Sequence, residues 1–239
     1  MVIDKELCIN CETCIPYCPM RAITSGSETP EICQDECVEC NICYNARVCP
    51  TGALTMPELE YPRAVRRDFS DPLKTHPQTN VPGRGTEEMK TNEVTGRFKR
   101  GWAGIGIELG RPGIGTRFSD VEKVTKAVAE FGVSFEEKNP ATFLLEDKTT
   151  GKMRPEVLKE KALSAIVEFA APLGEVGSIL RRLKEVSRTL DTVFSVDLAC
   201  RVEPDGSVPA FRAAAEAGFS PSVNGKLNVG LGRPRAQEE

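Results

Sequence analysis

The sequence predicts an α+β protein in two parts: a short cysteine-rich unit, then a larger βαββαβ domain. Three observations predict it. Nine of the ten cysteines fall between Cys8 and Cys49. A stretch rich in Pro and Gly, residues 61–100, carries no hydrophobic period from Arg63 onward. From Gly101, apolar residues alternate and then recur at helical spacing, in the order strand, helix, strand, strand, helix, strand. A length of 239 residues suits two compact units with connecting segments.

Composition excludes several classes. No stretch approaches the roughly 18 apolar residues of a membrane span, so no membrane insertion is expected. Met1 to Cys8 has neither a basic nor an apolar leader region, so no secretory signal is expected. A formal charge of −4 gives no support to nucleic-acid binding. That total hides a polarity. Residues 1–60 hold ten acidic and three basic side chains, net −7, and residues 61–101 hold nine basic and five acidic, net +4.

The cysteines carry the chemistry. Secreted scaffolds spread theirs across the domain they staple. Cysteines three residues apart instead aim several sulfurs at one small object. The first run is Cys8-x2-Cys11-x2-Cys14-x3-Cys18-Pro19, and the second is Cys37-x2-Cys40-x2-Cys43-x5-Cys49-Pro50. The first matches the bacterial [4Fe–4S] ferredoxin motif at every position, and the second departs only in its last interval. The halves repeat beyond the cysteines: Cys18-Pro19-Met20-Arg21-Ala22-Ile23 parallels Cys49-Pro50-Thr51-Gly52-Ala53-Leu54. A zinc ribbon would use pairs of CxxC and has no need of the third close cysteine and the later Cys-Pro.

On these residues, segment 1–60 resembles the bacterial dicluster ferredoxins. The resemblance implies two [4Fe–4S] clusters, one-electron transfer and crossed ligation. Cluster I would take Cys8, Cys11, Cys14 and Cys49, and cluster II would take Cys37, Cys40, Cys43 and Cys18. The extra residues Tyr44–Val48 are expected to bulge near cluster I. Every ligand position is Cys, so no iron is left open for substrate, and the unit reads as a carrier with no catalytic residues. Cys33 is surplus: an unligated loop residue, or an alternative ligand or redox-sensitive thiol near cluster II. The lone His76 excludes a catalytic His pair.

The second domain is read element by element. Ile105, Ile107 and Leu109 alternate as a half-buried strand, and Gly110 to Gly115 forms a turn. The alternation also gives a weak G-x-G-x-x-G match, which is discounted because it lies within the strand. Ser119 or Asp120 is expected to cap a helix carrying Val121, Val124, Val128 and Phe131. Ala141 to Glu146 reads as the second strand. Leu163 to Phe169 reads as the third, stopped by Pro172. Val176, Ile179, Leu180, Leu183, Val186 and Leu190 have helical spacing. Phe194 to Val202 reads as the last strand, with Cys200 on its apolar face. This domain, 101–204, resembles ACT domains and other ferredoxin-like βαββαβ folds in topology only. The tail, 205–239, holds a short helix at Ala210–Ala217. It also repeats Leu109-Gly110-Arg111-Pro112 as Leu231-Gly232-Arg233-Pro234: two Gly-Pro turns, or two arginines for one acidic ligand.

The expected function is an electron-transfer subunit of a larger oxidoreductase. Its catalytic partner would hold a flavin, a tungsten or molybdenum cofactor, or further iron–sulfur centres. The linker, second domain and tail would dock it. A homo-oligomer through the ACT-like domain is a further expected arrangement. The alternative is a ligand-sensing regulatory iron–sulfur protein whose ligand sits at Gly110–Gly115. A self-contained reductase is a third reading, for which the sequence supplies no active site. Clusters and reduced cysteines fit the cytoplasm of an anaerobe.

Overall fold

The computed structural model describes residues 1–81, 99–111 and 113–220. The cysteine-rich unit is held by strands of two residues each. β1 (Val2–Ile3) pairs antiparallel with β4 (Leu54–Thr55), and β2 (Ile23–Thr24) pairs with β3 (Glu31–Ile32). Between them lies α1 (Ile42–Asn45). Ladders this short cannot hold a unit of this size. Its core is Met1, Met20, Ala22, Ile23, Val38 and Leu54, completed by Cys37, Cys40 and Cys43. A chain of about 60 residues is marginal without a staple, and metal is one of the few staples available.

The next segment corrects the sequence reading. A hydrophobic pair does survive after Arg63: α2 (Ala64–Ser70) buries Val65 and Phe69, one turn apart. It ends where it must, because Asp71 precedes Pro72 and is driven into an extended conformation (φ −79°, ψ 111°). Phe69 enters the core of the second domain, edge-on to Phe118 with ring centroids 4.9 Å apart. His76 packs on the other side of Phe69 at 5.7 Å and is itself buried. The first part of the expected linker is therefore a packed element. Residues 82–98 lie outside the described residues.

The second domain carries a four-stranded antiparallel sheet. Its centre is β5 (Trp102–Leu109), with Ile105, Ile107 and Leu109 wholly buried. β6 (Thr116–Arg117) leads into α3 (Phe118–Ala129). The helix is entered from Arg117 in an extended conformation with no side-chain cap, so neither Ser119 nor Asp120 caps it. Asp120 lies within the first turn and pairs with Lys123 instead.

The second strand differs most from expectation. It is β7 (Ser134–Phe135), only two residues long. Ala141–Glu146 does not join the sheet. Asn139 accepts a hydrogen bond from the Ala141 N–H at 2.8 Å, and Pro140 takes the first helical position, so a short helix α4 (Pro140–Phe143) forms. The chain then turns through a hairpin of β8 (Leu145–Asp147) and β9 (Lys152–Met153).

β10 (Lys161–Ala162) pairs with β6, and β11 (Ala165–Pro172) pairs with β5 along its whole length, from Ala165 opposite Leu109 to Pro172 opposite Trp102. α5 (Val176–Val186) buries Val176, Ile179, Leu180, Leu183 and Val186. Each full burial of that kind contributes about 1.5–3 kcal/mol. β12 (Phe194–Cys200) flanks β5 on its other edge. Val202 lies past its end and is exposed. α6 (Pro209–Glu216) coincides with the expected tail helix. The sheet order is β12-β5-β11-β7, which among the domain's four strands is fourth, first, third, second. The second copy of the Leu-Gly-Arg-Pro motif, like Pro112 of the first, lies outside the described residues.

Candidate metal centres

The two cysteine runs fold alike down to single dihedral angles. In the first, Asn10 and Glu12 have φ of 53° and 57°; in the second, the equivalent Glu39 and Asn41 have 55° and 57°. Three residues past the Cys of each Cys-Pro pair stand Arg21 (φ 53°) and Gly52 (φ 70°). Left-handed residues at these points turn the chain sharply enough to fold each run back on itself. The conformation costs roughly 1–2 kcal/mol at a non-glycine residue, less for Asn. A close-packed run of such residues marks a ligand site.

These turns aim backbone donors at sulfur. Ala22 donates its N–H to Cys18 Sγ and Ala53 donates to Cys49 Sγ, each at 3.2 Å. The Cys-Pro-x-x-Ala repeat thus makes the same hydrogen bond twice. The N–H groups of Thr13, Glu39 and Ile42 donate to Cys11, Cys37 and Cys40. The Thr13 hydroxyl adds a bond to Cys11 Sγ at 3.3 Å.

The sulfurs are gathered in two sets. Cys8, Cys11, Cys14 and Cys49 line one cavity with Ile3, Pro30 and Leu54. Cys18, Cys37, Cys40 and Cys43 line a second with Met1, Met20, Ile23 and Val38. Each set takes three cysteines from one run and the fourth from the other. The insertion Tyr44–Val48 makes a helical turn at the end of α1, closed by Arg47 at φ 53°, and Cys49 still reaches the first cavity. Among the described residues, no three His, Cys, Asp or Glu side chains converge closely enough to hold a single ion. Such a donor set fits a polynuclear cluster, which keeps its ligands apart, better than a lone zinc.

The cavities differ in exposure. Cys11 is exposed and Cys8, Cys14 and Cys49 are half-buried, whereas Cys37, Cys40 and Cys43 are buried. Burial pushes the Cys40 thiol up to about 12 and the Cys43 thiol to about 11. The Thr13 hydroxyl lowers Cys11. At Cys49 burial acts upward, but the Thr51 hydroxyl and the N–H groups of Thr51, Ala53 and Leu54 outweigh it. Burial thus disfavours bare thiolates at Cys37, Cys40 and Cys43, which a bound cationic metal would offset.

The inner cavity also has a charged wall that sequence reading missed. Glu39 is buried and takes hydrogen bonds from the Met1 amine and from Arg63 Nε at 3.0 Å. Burial would raise its carboxyl, but these two cations hold it below the ordinary value. Asn41 donates to Asp71 at 2.7 Å. The basic excess of residues 61–101 against the acidic head was the available signal. The remaining cysteines lie apart. Cys33 is exposed and lines neither cavity, and Cys200 is half-buried against the main core. His76 is buried with Nδ1 unpaired, and burial lowers its pKa from 6.5.

The model for the 4Fe–4S binding domain matches residues 1–24. Ferredoxin-1 of Rhodobacter capsulatus is 36% identical over 55 residues, which are 23% of this chain and 85% of that protein. The chain belongs to the 4Fe–4S ferredoxins. Ferredoxin YfhL of Escherichia coli is 45% identical over 49 residues, 20% of this chain and 56% of that protein. Pyruvate synthase subunit PorD of Methanothermobacter marburgensis is 41% identical over 54 residues, 23% of this chain and 60% of that protein. The chain spans about three-fifths of the length of these last two relatives. No solved structure matches. The ferredoxin likeness stands on the N-terminal segment and supports the binding of 4Fe–4S clusters there. No helix among the described residues is long and apolar enough to cross a membrane.

Proposed function

We propose that this ferredoxin is the electron-transfer subunit of a larger cytoplasmic oxidoreductase complex. The observation that carries the reading is the pair of unequal four-cysteine cavities, one open to solvent and one packed against the second domain. In this reading Cys8, Cys11, Cys14 and Cys49 hold the outer cluster, and Cys18, Cys37, Cys40 and Cys43 hold the inner one. Each bound cluster supplies a one-electron couple whose potential the protein adjusts through hydrogen bonds and burial.

The chain's own residues do the rest. The N–H groups directed at sulfur stabilise the extra negative charge of the reduced state. Apolar lining limits water. Exposed Ile9 and Cys11 bring the outer site to the surface for a partner, and the acidic head speeds encounter with a basic docking face. A diffusing ferredoxin has no need of the second domain, residues 101–204, which serves as the docking element. The PorD relatives are named as subunits of pyruvate synthase, which supports a catalytic partner of oxidoreductase type.

The competing reading places a small ligand at Gly110–Gly115. There a Cβ on Gly115 would stand 2.6 Å from Met20 Cε and 2.9 Å from the Ala162 carbonyl. The ferredoxin unit already packs that turn, which disfavours a ligand seat.

The test is anaerobic reconstitution of the full chain, followed by affinity capture from an anaerobic extract. About eight irons per chain, reducible by dithionite, and a co-purifying catalytic subunit are expected. A chain that takes up no iron, or clusters that dithionite leaves oxidised, would overturn the reading.

A further inference from the structure

One side chain joins the two bodies of the molecule. Arg66, on α2, is 4% exposed. Its Nη1 donates to three backbone carbonyls of the loop entering the inner cavity: Gln34 at 3.2 Å, Asp35 at 2.8 Å and Cys37 at 2.9 Å. Its Nε pairs with Glu160 of the second domain. Glu160 is itself anchored, since its carbonyl accepts the Phe118 N–H at the start of α3 at 3.1 Å.

The same loop is gripped again by the second domain. Arg117 pairs with Asp35 at 2.6 Å and with Glu36 at 3.3 Å, and Lys161 pairs with Glu36. Those contacts are partly exposed and screened by solvent. Arg66 is buried, and its planar fork presents donors in a fixed geometry that a lysine cannot reproduce.

We propose that Arg66 is a positioning residue for the inner cluster. It ties the backbone at Cys37 to Glu160 of the second domain, and its buried positive charge favours the reduced, more negative state of that cluster. Outer-shell partners of a ligand act on both its orientation and the metal's potential. No equivalent residue is needed at the outer cavity, which faces solvent. The inference rests on the ligand sets proposed above.

The experiment uses the full chain with Arg66→Gln and Arg66→Lys. Two measurements are made: redox titration of the loaded protein followed by electron paramagnetic resonance, and hydrogen exchange of residues 33–43 in loaded and metal-free chain. Arg66→Gln is expected to shift the inner cluster's reduction equilibrium about tenfold toward the oxidised state, about 59 mV for a one-electron couple. The outer cluster should stay in place. Arg66→Lys keeps the charge and loses the fork, so it should speed exchange in 33–43 with a smaller shift.

Loss of the inner signal alone in Arg66→Gln, with Arg66→Lys retaining it, also supports the role. Unchanged exchange and unchanged inner potential in both variants would overturn it, as would an equal shift of both clusters. Absence of iron in the unaltered chain would sink the ligand sets instead, so the two failures are distinguishable.

Discussion

The two cysteine cavities are built from one pattern and end in different surroundings. Their turns repeat at Asn10 and Glu39, at Glu12 and Asn41, and at Arg21 and Gly52. Their sulfurs receive the same Ala N–H bond. Yet one set opens to solvent, and the other lies between α2, Glu39 and the Met20 contact with the second domain. Local sequence dictates how a cluster is held. Distant sequence dictates what the cluster experiences.

The sharpest way to break this comparison is to remove one ligand from each side. Cys40→Ser is expected to lose the inner cluster and unfold the N-terminal unit, because Cys40 is part of its core. Cys11→Ser should cost only outer-cluster iron, because Cys11 is exposed. Iron content and thermal unfolding of both variants check this; equal losses of stability would contradict the asymmetry.

Next comes the helix between the bodies. Phe69→Ala removes a buried ring that contacts Phe118 and His76, at a cost of about 3–5 kcal/mol. Denaturant unfolding measures the loss. Spectra of the loaded variant should change for the inner cluster and hold for the outer.

A smaller effect depends on pH. His76 is buried, and its folded pKa lies below the unfolded 6.5. Below 6.5 the unfolded chain binds a proton that the folded chain refuses, so stability falls as pH drops through and below that value. Unfolding measured between pH 5 and 8 should show the slope, and His76→Gln should flatten it.

The smallest effect sits at the outer site. Thr13→Val deletes the hydroxyl donor to Cys11 Sγ. The outer cluster's reduction equilibrium should move toward the oxidised state by less than tenfold, with the inner one unmoved. A voltammetric titration that moves both, or neither, removes the local role given to Thr13.

The ferredoxin likeness was legible because the cysteine spacing is local and chemically demanding, and the long strands and helices because each repeats its period several times. What escaped was either too short or too distant. β7 offers two residues to a pattern that needs four. At Ala141–Glu146 the preceding Asn139-Pro140 signals a helix start that competes with the apolar content of the segment. α2 shows one hydrophobic pair among prolines. Arg66 and Glu160 stand 94 residues apart, and no spacing rule links them.

The contact of Met20 with Gly115, and of Leu163 with the inner core, has a temporal consequence. Docking of the two bodies covers Met20, which lines the inner cavity with the buried Cys37, Cys40 and Cys43, while the exposed Cys11 stays in reach of solvent. A chain that folds before it meets iron would therefore fill the exposed outer site more readily than the buried inner one.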